Sequence, residues 1–175
     1  MIRAYRGILP TLGAGVYVDE QAALIGDVSL GDDSSIWPMA VARGDVNKIS
    51  IGARSNIQDG AVLHVTHDGP YTAGGVALVI GDDVTVGHLA MLHACTIGNR
   101  VLIGMQSTVL DKVVIEDEVL LAAGSVVAPR KRLRSGYLYR GSPAVQVRAL
   151  TDGERTWLKY SAEHYVRLKN HHLAG

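Results

Sequence analysis

The run IGNRVLIGMQSTVLDKVVIEDEVLLAAGSVV, residues 97–127, brings an aliphatic side chain round every six residues: Ile97, Ile103, Val109, Ile115, Leu121 and Val127. Two positions before these stand small or β-branched residues, as at Cys95, Val101 and Ser107. On a short strand every second side chain points the same way, so both sets face inward. The large set fills a core and the small set fits a corner.

The same step appears elsewhere once the phase is allowed to restart. Leu12, Val18, Leu24, Leu30, Ile36 and Ala42 form one run; Ile51, Ile57 and Leu63 a second; Ile80, Val86 and Leu92 a third. Glycine follows many of them, as at Leu30-Gly31, Ile51-Gly52 and Ile80-Gly81. This is the hexapeptide pattern of a parallel β-helix, similar to the left-handed, triangular kind in which three hexapeptides make one coil. The pattern predicts a β-helix over about 12–130 within a single domain of residues 1–175. From Leu63 to Ile80 is seventeen residues where six would continue the run. The glycine-rich insert HDGPYTAGGVAL, near 67–78, is therefore expected to leave the coil as a loop. Thr151-Asp152-Gly153-Glu154 reads as a capping box that opens a helix over about 152–170. Its stripe Trp157, Tyr160, His164 and Leu168 is expected to pack along the β-helix.

Composition narrows the function classes. Seventeen basic residues balance seventeen acidic ones among 175, which gives no pull towards nucleic acid or membrane. No apolar run approaches the roughly 18 residues of a membrane span, and MIRAYRGILP lacks the apolar segment of a secretory signal. A cytoplasmic protein is the expectation. The single cysteine excludes an intrachain disulfide, and Cys95, at an inward corner, reads as a core thiol. A core without phenylalanine must be narrow and filled with branched aliphatics.

The histidines acquire meaning through phase. His64 follows Leu63 and His93 follows Leu92, so both stand just after a core aliphatic. With the loop removed they stack on one outer face, one coil apart, at about 4.8 Å. Two imidazoles so placed can share a metal. Arg43, after Ala42, falls in the same column one coil earlier. His88 comes two positions after Val86 and belongs to the preceding face, as do Gln58 and Asp59 after Ile57. It should not reach a metal held by its own chain's His64 and His93, but could reach one held by a neighbouring chain around a three-fold axis. His164, His171 and His172 are expected to be solvated, and Asp32, Asp33, Asp82 and Asp83 to lie in turns.

Three segments carry a resemblance: IWPMAVARGDVNKISIGARSNIQDGAVLHVTH (36–67), IGDDVTVGHLAMLHACTIGNRVLIGM (80–105) and LYRGSPAVQVRAL (138–150). They are similar to the γ-class carbonic anhydrases and their bacterial relatives. The resemblance implies a homotrimer with zinc, or iron or cobalt, at each subunit interface, held by His64 and His93 of one chain and His88 of the next. It implies reversible hydration of carbon dioxide to bicarbonate by a metal-held hydroxide. Gln58 matches the residue that hydrogen-bonds that hydroxide; Arg43 and Asp45 match an interface pair, and Asp59 the acid that meets it from the neighbouring chain. Where the most active archetype has a glutamate after this aspartate, Val46 stands here. His67 replaces an acidic proton-shuttling loop and becomes the candidate shuttle. Tyr139 and Tyr71 are candidates for the substrate pocket. Three alternatives share the scaffold: a metal-dependent thioesterase, a hexapeptide acyltransferase acting on acyl-CoA, and a non-catalytic metal-binding assembly module.

Overall fold

A computed structural model describes residues 1–175. The chain winds as a left-handed parallel β-solenoid closed by one C-terminal helix, Asp152–Ala174. Each face is built from strands mostly two or three residues long. They pair in parallel with strands one coil away, as Thr85–Val86 does with Asn56–Ile57 on one side and Leu102–Ile103 on the other. Between strands the chain turns corners at positive φ, and these follow the period: Arg100, Gln106, Lys112, Glu118, Gly124 and Arg130 are six apart. The left-handed region disfavours most L-residues. The ladder hydrogen bonds and the buried aliphatics on either side hold these corners in place.

The core is a column of the residues at the six-step positions, Leu24, Ile36, Ile57, Leu63, Ile80, Leu92, Ile103 and Leu121 among them. Cys95 is buried in it as expected, and burial raises its thiol far above the usual range. Asp32, Asp33, Asp82 and Asp83 lie in turns and bends between rungs. The coil continues past 130. Leu133 pairs beside Ile115, and Tyr139 beside Leu121, so the six-step runs unbroken from Val127 through Pro129. An antiparallel strand, Ala144–Ala149, then folds back on Tyr137–Gly141 and covers the end of the ladder.

Every irregular step falls at one corner. Leu24 lies opposite Ala42 and Leu30 opposite Ile51, so the second coil takes nine residues where the first takes six. Ala42 lies opposite Leu63 and Ile51 opposite Ile80, which makes the third step seventeen. Leu92 to Ile97 is five, against six from Val109 to Ile115 in the next coil. At the other two corners the step stays six. In the long strand Val41–Ile51 the extra residues follow Gly44, where a Cβ would come within 2.2 Å of the Asp27 carbonyl oxygen. Only glycine lets these backbones approach so closely.

The insert is a compact hairpin. Thr66 bridges Val76, Gly69 bridges Thr72, and Leu78 has already rejoined the ladder. Asn47 ties its base through the carbonyls of Thr66 and Gly74.

The helix begins where the capping box places it: the Glu154 amide donates to Thr151 Oγ1, and the Thr151 amide donates to the Glu154 carboxylate. Its buried face is not the expected one. Trp157 and Tyr160 are about half exposed and His164 is exposed, while Leu158, Ser161, Ala162 and Lys169 are buried. The stripe is offset by one residue because small Ser161 and Ala162 let the helix sit close to the sheet, which bulky rings would prevent. His171 and His172 are exposed as expected, although the His172 ring also packs edge-on against Trp37 at 5.2 Å.

Lys169 fixes the far end of the helix. Its side chain is 1 % exposed, and Nζ donates to Asp33 Oδ1 at 2.9 Å and to Asn170. Asp33→Ala strands a buried ammonium and should lower stability by about 3 kcal/mol in urea melts. Lys169→Met, an apolar chain of similar length, should cost less than half as much. Equal losses would mean that the ion pair itself, rather than the stranded charge, governs this anchor.

Candidate metal centre

His64 and His93 lie directly opposite each other on adjacent strands. Their ring centroids are 5.2 Å apart, and His64 Nδ1 faces His93 Nε2 at 3.2 Å. Each ring is held from behind by a carboxylate. Asp45 Oδ1 lies 3.0 Å from His64 Nε2, and Asp111 Oδ1 lies 2.7 Å from His93 Nδ1. A carboxylate accepts, so in neutral rings the protons sit on His64 Nε2 and His93 Nδ1. The two nitrogens that face each other then both present lone pairs. Such a contact needs a cation, either a proton held between the rings or a metal.

The separation suits zinc. Two nitrogens about 2.0–2.1 Å from one tetrahedral ion are about 3.3 Å apart. Carboxylates that fix tautomer and ring orientation are the usual outer partners of metal-binding histidines. Within one chain, however, no three His, Cys, Asp or Glu side chains are placed to hold a metal ion together. His88 sits at the preceding corner. It has the same construction, with Nδ1 2.9 Å from Asp59 Oδ2 and Nε2 left free.

The carboxylates are tied in turn. Arg43 donates to Asp45 Oδ2, and Thr66 donates to Asp111 Oδ2. Desolvation pushes both carboxyl groups up. It is outweighed at Asp45 by hydrogen bonds from His64 and Arg43, and at Asp111 by those from Thr66 and His93. Both are held below the usual carboxylate range.

The remaining expected site residues separate into two groups. Gln58 is 5 % exposed, on the His88 side, and its Nε2 donates to Asn56 Oδ1 at 3.1 Å. His67 is exposed at the base of the hairpin, its ring against Gly69. Tyr71 is 97 % exposed at the hairpin tip and lines no cavity. Tyr139 is not on a pocket wall: it is 4 % exposed in the last coil, where its hydroxyl accepts from the Arg134 amide at 2.7 Å. The six-step puts it in the core, a position normally held by an aliphatic.

Asp111 and Thr66 are absent from the expected set. Asp111 comes two positions after Val109, which lies opposite Leu92, so it stands just past the His93 column on the next rung, and that register was the available signal. Thr66 offers none, because it belongs to the irregular corner.

The family description "bacterial transferase hexapeptide (six repeats)" matches residues 94–129. Protein YrdA of Escherichia coli is 54% identical over 173 residues, 99% of this chain and 94% of that protein. Gamma carbonic anhydrase 2, mitochondrial, of Arabidopsis thaliana is 42% identical over 165 residues. The chain belongs to the γ-carbonic anhydrase-like family of hexapeptide-repeat proteins. It matches that plant γ-carbonic anhydrase over 94% of its own length and 59% of the plant protein's. Among solved structures, a hexapeptide transferase family protein from Anaplasma phagocytophilum superimposes with a TM-score of 0.89 at 40% identity, covering 97% of this chain and 96% of that one. No helix is long and apolar enough to cross a membrane.

The depressed Asp111 carboxyl ties stability to pH. As pH falls, the unfolded chain takes up this proton before the folded one does. The His93–Asp111–Thr66 contacts therefore stabilise fully above the unfolded carboxylate value of about 4 and lose that contribution as pH drops through the lower folded value. Asp111→Asn should flatten the acid limb of a plot of melting temperature against pH. Parallel acid limbs for the two proteins would remove the link.

Proposed function

We propose that the protein is a trimeric γ-carbonic anhydrase-like metalloenzyme that hydrates carbon dioxide reversibly to bicarbonate. The observation that carries the reading is the pair of carboxylate-backed histidines whose free nitrogens face each other at 3.2 Å. The third donor is His88 of a neighbouring copy, its free Nε2 prepared in the same way by Asp59.

The surface between the two histidine corners supports such a neighbour. Met39 and Leu89 carry large apolar side chains at positive φ and are 70 % and 58 % exposed. Other corners with this backbone carry polar side chains, as at Arg100, Gln106, Lys112 and Glu118. Burial against a second copy accounts for large apolar side chains at these two. A ring of three closes with one shared site at each junction.

Zinc, when bound, supplies Lewis acidity enough to make hydroxide available near about pH 7; three imidazoles also suit iron or cobalt. The chain's own residues do the rest. Asp45, Asp111 and Asp59 hold protons on the outward nitrogens of His64, His93 and His88 and keep the inner lone pairs aimed. Arg43 fixes Asp45 and Thr66 fixes Asp111. The Gln58 amide orients the reacting oxygen. His67, exposed at the base of the hairpin and next in sequence to Thr66, passes the released proton to solvent.

Two experiments test this. Stopped-flow measurements should show zinc-loaded protein hydrating carbon dioxide above the buffer rate, with the excess abolished by His64→Ala; full zinc occupancy with no excess rate would refute the reaction. Co-expression tests the junction. His64→Ala and His88→Ala homotrimers each lack a complete site, whereas a mixed ring always joins one intact His64 to one intact His88. Random mixing makes about three quarters of trimers mixed, so about a quarter of all sites should again retain metal through dialysis. Mixed trimers that hold no more metal than the parents would place the site within one chain.

A further inference from the structure

A groove of about 340 Å³ lies between the C-terminal helix and the face bearing Thr85–Val86, and it opens beside His88. The small columns at Gly87, Gly104 and Ala122 make its floor. Leu102 and Leu120 rise on one side, and Trp157 of the helix stands on the other. At the Thr85 rung the helix is fastened, Ser161 Oγ lying 2.9 Å from Thr85 Oγ1, which also accepts from Asn56. Past that point the floor has almost no side chains, so the groove stays open although the helix is held close.

Its polarity runs one way. At one end lie Gln58, whose carbonyl oxygen has no partner within the chain, and His88, whose Nε2 is free. Towards the Leu120 rung the lining is apolar. From Gln58 to Leu120 the groove crosses three rung spacings, about 14 Å at roughly 4.8 Å each. Its volume falls in the range of about 300–1,000 Å³ typical of small-molecule sites, and carbon dioxide uses almost none of it.

We infer that this groove binds a medium-chain acyl group, its chain along the glycine and alanine floor and its carboxyl-derived end at Gln58 and His88. The direction in which the ligand lies rests on the metal reading of His88; the apolar groove does not. Burial of methylenes against Leu102, Leu120 and Trp157 supplies the affinity, and the polar end sets the register.

The test is calorimetric titration of the full-length, metal-loaded protein with decanoate and, separately, with acetate, which has the same carboxylate and no chain. Decanoate should bind saturably, one per chain, and at least about tenfold more tightly than acetate. Ala122→Phe fills the floor and Leu102→Trp narrows the wall. Each, if its thermal melt is normal, should weaken decanoate by about tenfold or more and leave acetate unchanged. Equal affinities for the two acids, or decanoate binding as in the parent protein by a folded groove variant, would overturn the inference. Carbon dioxide hydration is measured on the same samples. Hydration without decanoate binding defeats the groove and leaves the reaction intact; decanoate binding sensitive to Ala122→Phe, without hydration, keeps the groove and defeats the reaction.

Discussion

Parallel pairing allows no local adjustment: once Leu63 is opposite Leu92, His64 must be opposite His93. The backbone ladder is thus the constraint from which the rest follows. It sets the distance between the rings, makes the two nitrogens face each other, and puts Arg43 on the rung before them. A shift of one residue would turn every side chain of a strand to the opposite side, exchanging the aliphatic core for its polar neighbours. The cost of that exchange secures the imidazole geometry more firmly than any interaction between the imidazoles themselves.

The same ladder gives the site its rigidity. Asp45 and Asp111 approach from rungs on either side of the histidine pair, and each is tied by a further residue. Ring positions come from backbone pairing and ring orientation from carboxylates. Little of the arrangement depends on flexible loop structure, and the hairpin after Thr66 is itself bound to the strand at Asn47.

Much of this was legible in the sequence because the period is a direct consequence of the geometry. Ile97 to Val127 yields the coil, and phase alone predicts that His64 and His93 stack while His88 stands apart. The fold and the pairing of those two histidines follow. Other features escaped for physical reasons. Pro129 looks like a terminator, yet Leu133 and Tyr139 hold the phase beyond it. The helix has two competing stripes, and the choice between Trp157 with Tyr160 and Ser161 with Ala162 depends on how near the sheet lies. Asp111 acts through a side chain that crosses between rungs at the shortened corner, where counting in sixes gives only its rung. The roles proposed for Gln58 and His67 rest on family resemblance.

The confinement of every irregular step to one corner has a consequence for how such a chain can change over generations. Residues gained or lost there, three after Gly44, eleven around Tyr71, one fewer after His93, leave the other two edges of the prism in step. One edge is free to diversify while two conserve the scaffold. Insertions and deletions, ruinous in most folds when they strike near the core, become a tolerated route for reshaping the surroundings of the histidine pair. Descendants of this architecture can differ in chemistry by the lengths of a few turns along a single edge, with their cores superimposable.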